Sequence, residues 1–170
     1  AEPPNGESYY RERLVRLNAP MIYFYRPMMP TGSKDRTHFG ISASDHLYAC
    51  PQALFKIHPD FDQFLGDILR RDPKGILALI QGTSQEWTER LMGRFRETIP
   101  DVAGRIRMFP RMPKEDFLNL LNVSDVILDP IRVGGGTTAY ECLAIGTPVV
   151  TWPGEFAYTR ILYALYQKMG

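Results

Sequence analysis

The sequence predicts an α/β protein built on a doubly wound, mostly parallel sheet. Three observations predict it. From His46 onward, short apolar runs alternate with amphipathic stretches; the run Ile76-Leu77-Ala78-Leu79-Ile80 is apolar without a break; and Gly or Pro punctuates the joints between segments. Alternating strand-like and helix-like patterns are the signature of β-α-β units, and an unbroken apolar strand is one covered on both faces.

His46 to Cys50 is the first strand. Asp60 to Arg71 follows as a helix, because Phe61, Phe64, Leu65, Ile68 and Leu69 recur on one face. Asp60 with Gln63 resembles a capping box at its start, and Asp72-Pro73 stops it. Ile76 to Ile80, bounded by Gly75 and Gly82, is a central strand. Thr83 with Glu86 then opens a helix in which Trp87, Leu91 and Phe95 repeat every fourth residue up to Pro100.

Arg105 to Phe109 is a third strand. Pro113 opens a helix carrying Phe117, Leu118 and Leu121, and Asp125 to Leu128 is a fourth strand. Thr137 to Ile145 is a short helix ended by Gly146, Pro148 to Thr151 a fifth strand, and Phe156 to Met169 a last helix. Ahead of these, residues 1–44 are irregular and linker-like, with order expected only over Arg11 to Leu17 and Met21 to Tyr25. Residues 45–170 are the folded domain.

Composition narrows the function. In 170 residues, 44% are hydrophobic and the formal net charge is +1, so the chain can bury a real core but carries no field to recruit nucleic acid or an anionic membrane. No apolar stretch approaches the ~20 residues of a membrane span. Ala1-Glu2-Pro3-Pro4-Asn5-Gly6 does not resemble a signal peptide, and a chain starting without Met is expected to be a piece of a longer one. Cys50 and Cys142 fall in apolar runs, as buried free thiols do, which makes the cytoplasm the expected compartment.

Doubly wound sheets bind ligands where strands turn into helices at their carboxyl ends. The strongest such turn is Leu128-Asp129-Pro130-Ile131-Arg132-Val133-Gly134-Gly135-Gly136-Thr137-Thr138. Three glycines let the backbone approach a ligand closely, the helix start attracts a diphosphate, and Thr137 and Thr138 add hydroxyls. A flexible turn with Thr137 as an ordinary N-cap fits the same residues. Gly134, Gly136 and Ala139 also satisfy the dinucleotide pattern Gly-x-Gly-x-x-Ala, with Glu155 beyond, but that fingerprint belongs to the first β-α turn.

Glu141 lies one turn after Thr137, where a carboxylate can reach a ribose beside bound phosphates; a first-turn acid favoured by the helix dipole is the plainer alternative. Lys56, between apolar neighbours just after the first strand, suits the charge of a departing diphosphate, or is simply solvated. Lys114 opens a helix, where the dipole disfavours a cation, and Glu115 and Asp116 suffice to compensate it. His38, His46 and His58 show no metal-ligand spacing, so no metal is expected.

Four stretches together resemble the C-terminal catalytic lobe of the O-linked N-acetylglucosamine transferase family, tetratricopeptide-linked glycosyltransferases of the GT-B fold. These are Gln52-Ala53-Leu54-Phe55-Lys56-Ile57; Pro113-Lys114-Glu115; Gly136-Thr137-Thr138 with Glu141; and Gly146-Thr147-Pro148-Val149-Val150-Thr151 leading into Pro153-Gly154-Glu155. Tyr10 to Leu17 is similar to the family's segment ahead of the lobe. The resemblance implies that Lys56 contacts the UDP diphosphate, that Gly136, Thr137 and Thr138 bind phosphate, that Glu141 holds the ribose, and that Arg111, Met112 and Lys114 lie against the uridine. The family's glutamine falls at Ala53, with Gln52 adjacent; its histidine before the paired threonines is Gly136; its aspartate is Glu141; and its histidine near the base is Phe117.

The resemblance further implies an inverting transferase with a UDP-sugar as co-substrate, no resident cofactor, and a protein acceptor. The catalytic base would come from a preceding N-terminal lobe, so this half alone would bind UDP without turnover. A dinucleotide-binding oxidoreductase domain and a non-catalytic interaction module are the alternatives.

Overall fold

A computed structural model describes residues 2–19 and 22–170. Five strands form one parallel sheet: β1 (His46–Cys50), β2 (Gly75–Ile80), β3 (Ile106–Phe109), β4 (Val126–Leu128) and β5 (Val149–Val150). Their order is β3-β2-β1-β4-β5, with every neighbouring pair parallel. The chain winds outward from β1 to β3, crosses back, and continues on the other side through β4 and β5. The topological switch therefore falls between β1 and β4, and their carboxyl ends open into one crevice.

Helices cover both faces, and the strand residues alternate accordingly. On one face Leu77 and Leu79 pack with Leu65 and Leu69 of α1 (Pro59–Arg71) and with Leu91 and Phe95 of α2 (Gln85–Thr98). On the other, Leu47, Ala49, Ile76 and Ala78 pack with Leu118 and Leu121 of α3 (Lys114–Val123), Cys142 of α4 (Thr137–Ile145) and Leu162 of α5 (Ile161–Met169). A strand with a core on each face must be apolar throughout, which is why β2 has no polar position.

Three local expectations are corrected. The cap of α1 is His58, whose ring accepts the Asp60 N–H, and Pro59 occupies the first turn, so the Asp60–Gln63 box is not used. Helix α2 starts at Gln85, after Ser84, with no side-chain cap. The last helix begins at Ile161, because Ala157–Thr159 first form a tight 3₁₀ turn.

Arg11 to Leu17 form no helix or strand, nor do Ile22 to Tyr25; Met21 lies outside the described residues. Ahead of β1, the chain runs along α3. Lys34 pairs with Asp116, Thr31 donates to Glu115 at 3.1 Å, and Asn119 donates to Gly32 O at 3.1 Å. Ile41 is 1% exposed, within the core under α3.

Candidate functional site

The loops leaving β1 and β4 meet at the switch point. After β1, a 3₁₀ turn at Leu54–Lys56 brings the Lys56 side chain back over the strand end. Its Nζ donates to Gln52 Oε1 at 3.0 Å and to Gly134 O at 3.1 Å. An ammonium carries three donors, so two hold the site together and one remains for a ligand. Gln52 is itself buried at 7% exposure.

After β4, the glycine turn is organised by Asp129, whose role no local pattern in the sequence marks. Its Oδ1 accepts the Gly135 N–H at 2.7 Å and its Oδ2 accepts the Thr151 hydroxyl at 2.8 Å. Burial pushes its carboxyl above the ordinary carboxylate range, against the opposing pull of the Gly135 N–H, Thr151 and the Lys56 charge. A Cβ added at Gly135 would lie 2.8 Å from Gln52 Nε2, so the buried Gln52 amide would have to shift. Gly136, the residue before α4, has open space around it and provides no side-chain cap. The start of α4 therefore has no side-chain cap; Thr137 there is exposed and Thr138 half-buried.

Glu141 sits one turn along α4, almost buried, and makes an ion pair with Lys114 at the first position of α3. This corrects the expected partners of Lys114. Glu115 and Asp116 are engaged by Thr31 and Lys34 instead, and the ammonium also lies 5.1 Å from the centre of the Phe117 ring.

A cleft of about 400 Å³ opens beside this cluster, over the carboxyl ends of β1, β2 and β3. Gln52, Arg111 and Met112 line it, with Phe55, Trp87 and Phe117 supplying apolar walls. The structure therefore gathers Lys56, Gln52 and Gly134–Gly136 in one group, Lys114 and Glu141 in a second, and Arg111 and Met112 in the cleft, with Gln52 common to the first and third. Thr137, Thr138 and Glu141 do not line the cleft.

Gln81, Gly82, Thr83 and Trp87 also line it, although nothing in the sequence analysis marks them as site residues. Their signal was positional: they follow the carboxyl end of β2, where such folds bind ligands. Trp87 shares its four-residue repeat with buried Leu91 and Phe95, yet it is 47% exposed and meets Phe55 edge to face at 6.5 Å. Among the described residues, no three His, Cys, Asp or Glu side chains cluster as metal ligands. Nor is any helix long and apolar enough to cross a membrane.

The family model for glycosyl transferase family 41 matches residues 30–170. The Arabidopsis thaliana protein named "Probable UDP-N-acetylglucosamine-peptide N-acetylglucosaminyltransferase SEC" is 27% identical over 170 residues, covering 95% of this chain and 17% of its own length. The UDP-N-acetylglucosamine-peptide N-acetylglucosaminyltransferase of Giardia intestinalis is 27% identical over 128 residues, 74% of this chain and 8% of its own. Among solved structures, a lysine-to-methionine mutant of the Thermobaculum terrenum O-GlcNAc transferase superposes with a TM-score of 0.79 at 28% identity, over 97% of this chain and 31% of that one. The chain thus spans less than a third of each of these relatives.

Proposed function

Since the chain belongs to glycosyl transferase family 41, we propose that it is the donor-binding half of an inverting, UDP-sugar-dependent transferase that passes N-acetylglucosamine or a related hexose to a protein hydroxyl. Its sheet is the Rossmann-like C-terminal lobe of a GT-B glycosyltransferase. The observation that carries the proposal is the meeting of Lys56, Gln52 and the Gly134–Gly136 turn at the topological switch, beside a cleft large enough for a nucleoside.

In this reading the uracil enters the cleft against Arg111 and Met112, and the ribose lies at the Lys114–Glu141 pair. The diphosphate rests on the start of α4 at Gly136, Thr137 and Thr138, within reach of Lys56. The acceptor oxygen attacks the anomeric carbon from the face opposite the diphosphate. The bond from that carbon to the phosphate oxygen breaks, and UDP leaves with the electron pair. The acceptor's proton passes to a base on a preceding N-terminal lobe, so this half binds donor without turnover by itself.

Negative charge grows on the departing diphosphate, and the free donor of Lys56 and the N–H groups of α4 are fixed in place to meet it. A preorganised donor of this kind is worth about 3 to 4 kcal/mol in the transition state. With that charge supplied by the protein, the reaction needs no metal and no resident cofactor. Residues 1–44 lead in from the preceding lobe, their last stretch packed along α3 with Ile41 in the core. Two buried, unpaired thiols suit a reducing cytoplasm.

The test is a melting experiment with UDP, UDP-N-acetylglucosamine and NAD. Ligand at about 100 times its Kd stabilises by roughly 2.7 kcal/mol, or some 5 to 10 °C at this size. A shift with the uridine ligands alone supports the proposal. A shift with NAD alone would replace it with a dinucleotide-binding domain, and no shift with any of them would point to a non-catalytic module or to a site completed only by the preceding lobe.

A further inference from the structure

Gly134 O and Gly135 N belong to the same peptide group. Lys56 Nζ donates to the carbonyl at 3.1 Å, and the N–H donates to Asp129 Oδ1 at 2.7 Å. No described peptide bond is cis, so the carbonyl and the N–H point in opposite directions. One peptide dipole is therefore held between a cation at its negative end and an anion at its positive end, the arrangement in which each charge strengthens the other's hydrogen bond.

Asp129 is itself fixed. It is 6% exposed, its other carboxylate oxygen accepts the Thr151 hydroxyl at 2.8 Å, and its backbone N–H donates to Val150 O at 2.9 Å across to β5. The peptide it holds has glycine on both sides, and a Gly-Gly peptide rotates with little steric resistance. Rotated by half a turn, it would present an N–H to Lys56 in place of a carbonyl, and the ammonium would lose one of its two anchors. A buried carboxylate beneath a diphosphate site would otherwise be unfavourable, since like charges repel strongly in a poorly solvated pocket.

We propose that Asp129 is a positioning residue of the donor site: acting through the Gly134–Gly135 peptide, it sets where the Lys56 ammonium sits. The proposal rests on the donor-site reading above. It requires that Asp129 matter for UDP only while Lys56 is present, which a merely structural role would not require.

The experiment is a double-mutant cycle on UDP affinity, by titration calorimetry, in the full chain with Asp129→Asn, Lys56→Ala and both together. Asp129→Asn keeps the shape and removes the charge. It is expected to weaken UDP about tenfold in the native background and less than about twofold beside Lys56→Ala. Should Asp129→Asn not fold, Thr151→Val loosens the same carboxylate and takes its place, with an expected loss of about threefold that again disappears beside Lys56→Ala. Equal losses in both backgrounds, or native affinity in Asp129→Asn, would overturn the proposal. Failure of the native chain to bind UDP, or native affinity in Lys56→Ala, would instead overturn the donor-site reading beneath it.

Discussion

Lys114 at the start of α3 pairs with Glu141 one turn along α4, 27 residues apart, with the lysine side chain 57% exposed and the glutamate only 11%. The two partners are therefore unequal in what their loss leaves behind. Lys114→Ala strands a nearly buried carboxylate and should cost about 1 to 2 kcal/mol, whereas Glu141→Gln leaves a lysine that water can solvate and should cost under about 1 kcal/mol. Both should weaken UDP. Urea unfolding of the two variants checks the order; a larger loss in Glu141→Gln would contradict it.

Arg94 secures the segment that carries Lys56. It donates to both oxygens of Asp62, which is fully buried, and to Ile57 O at 2.8 Å. Arg94→Leu leaves the carboxylate without its cation, and a broken buried pair costs about 3 to 5 kcal/mol. Denaturant unfolding should show a loss of that order, and a loss under about 1 kcal/mol would be incompatible with this geometry.

The glycines of the turn should differ in tolerance. Gly135→Ala forces a Cβ to within 2.8 Å of Gln52 Nε2, and should cost about 1 to 3 kcal/mol along with UDP affinity. Gly136→Ala meets nothing within 4 Å and should cost less. Melting temperatures of the two variants rank them.

Much of this was legible in the sequence where one local pattern decides. The strand at His46–Cys50 and the helix at Thr137–Ile145 fall where the apolar spacing puts them, and Gly146 ends that helix at φ 95°, a conformation glycine adopts freely. The partners of Lys114 were not legible. Glu115 and Asp116 were nearer in sequence, but the chain ahead of β1 lies along α3 and engages both. The role of Asp129 was not legible for a related reason: it appears only once β5 brings Thr151 beside it and the glycine turn folds back over it.

The cysteines should be inert in the native state. Burial pushes the thiols of Cys50 and Cys142 up to about 12, with nearby acids adding to it, so little thiolate exists at pH 8. Iodoacetamide should label neither until denaturant is added, as intact-mass measurement would show; stoichiometric native labelling would contradict their burial.

The central claim is that Lys56 and the glycine turn hold a nucleoside diphosphate, and the most direct measurement is the UDP affinity of this chain beside its Lys56→Ala variant by titration calorimetry. Loss of a charged hydrogen-bond donor predicts at least about a tenfold weaker Kd. Equal UDP affinity in the two proteins would contradict the account.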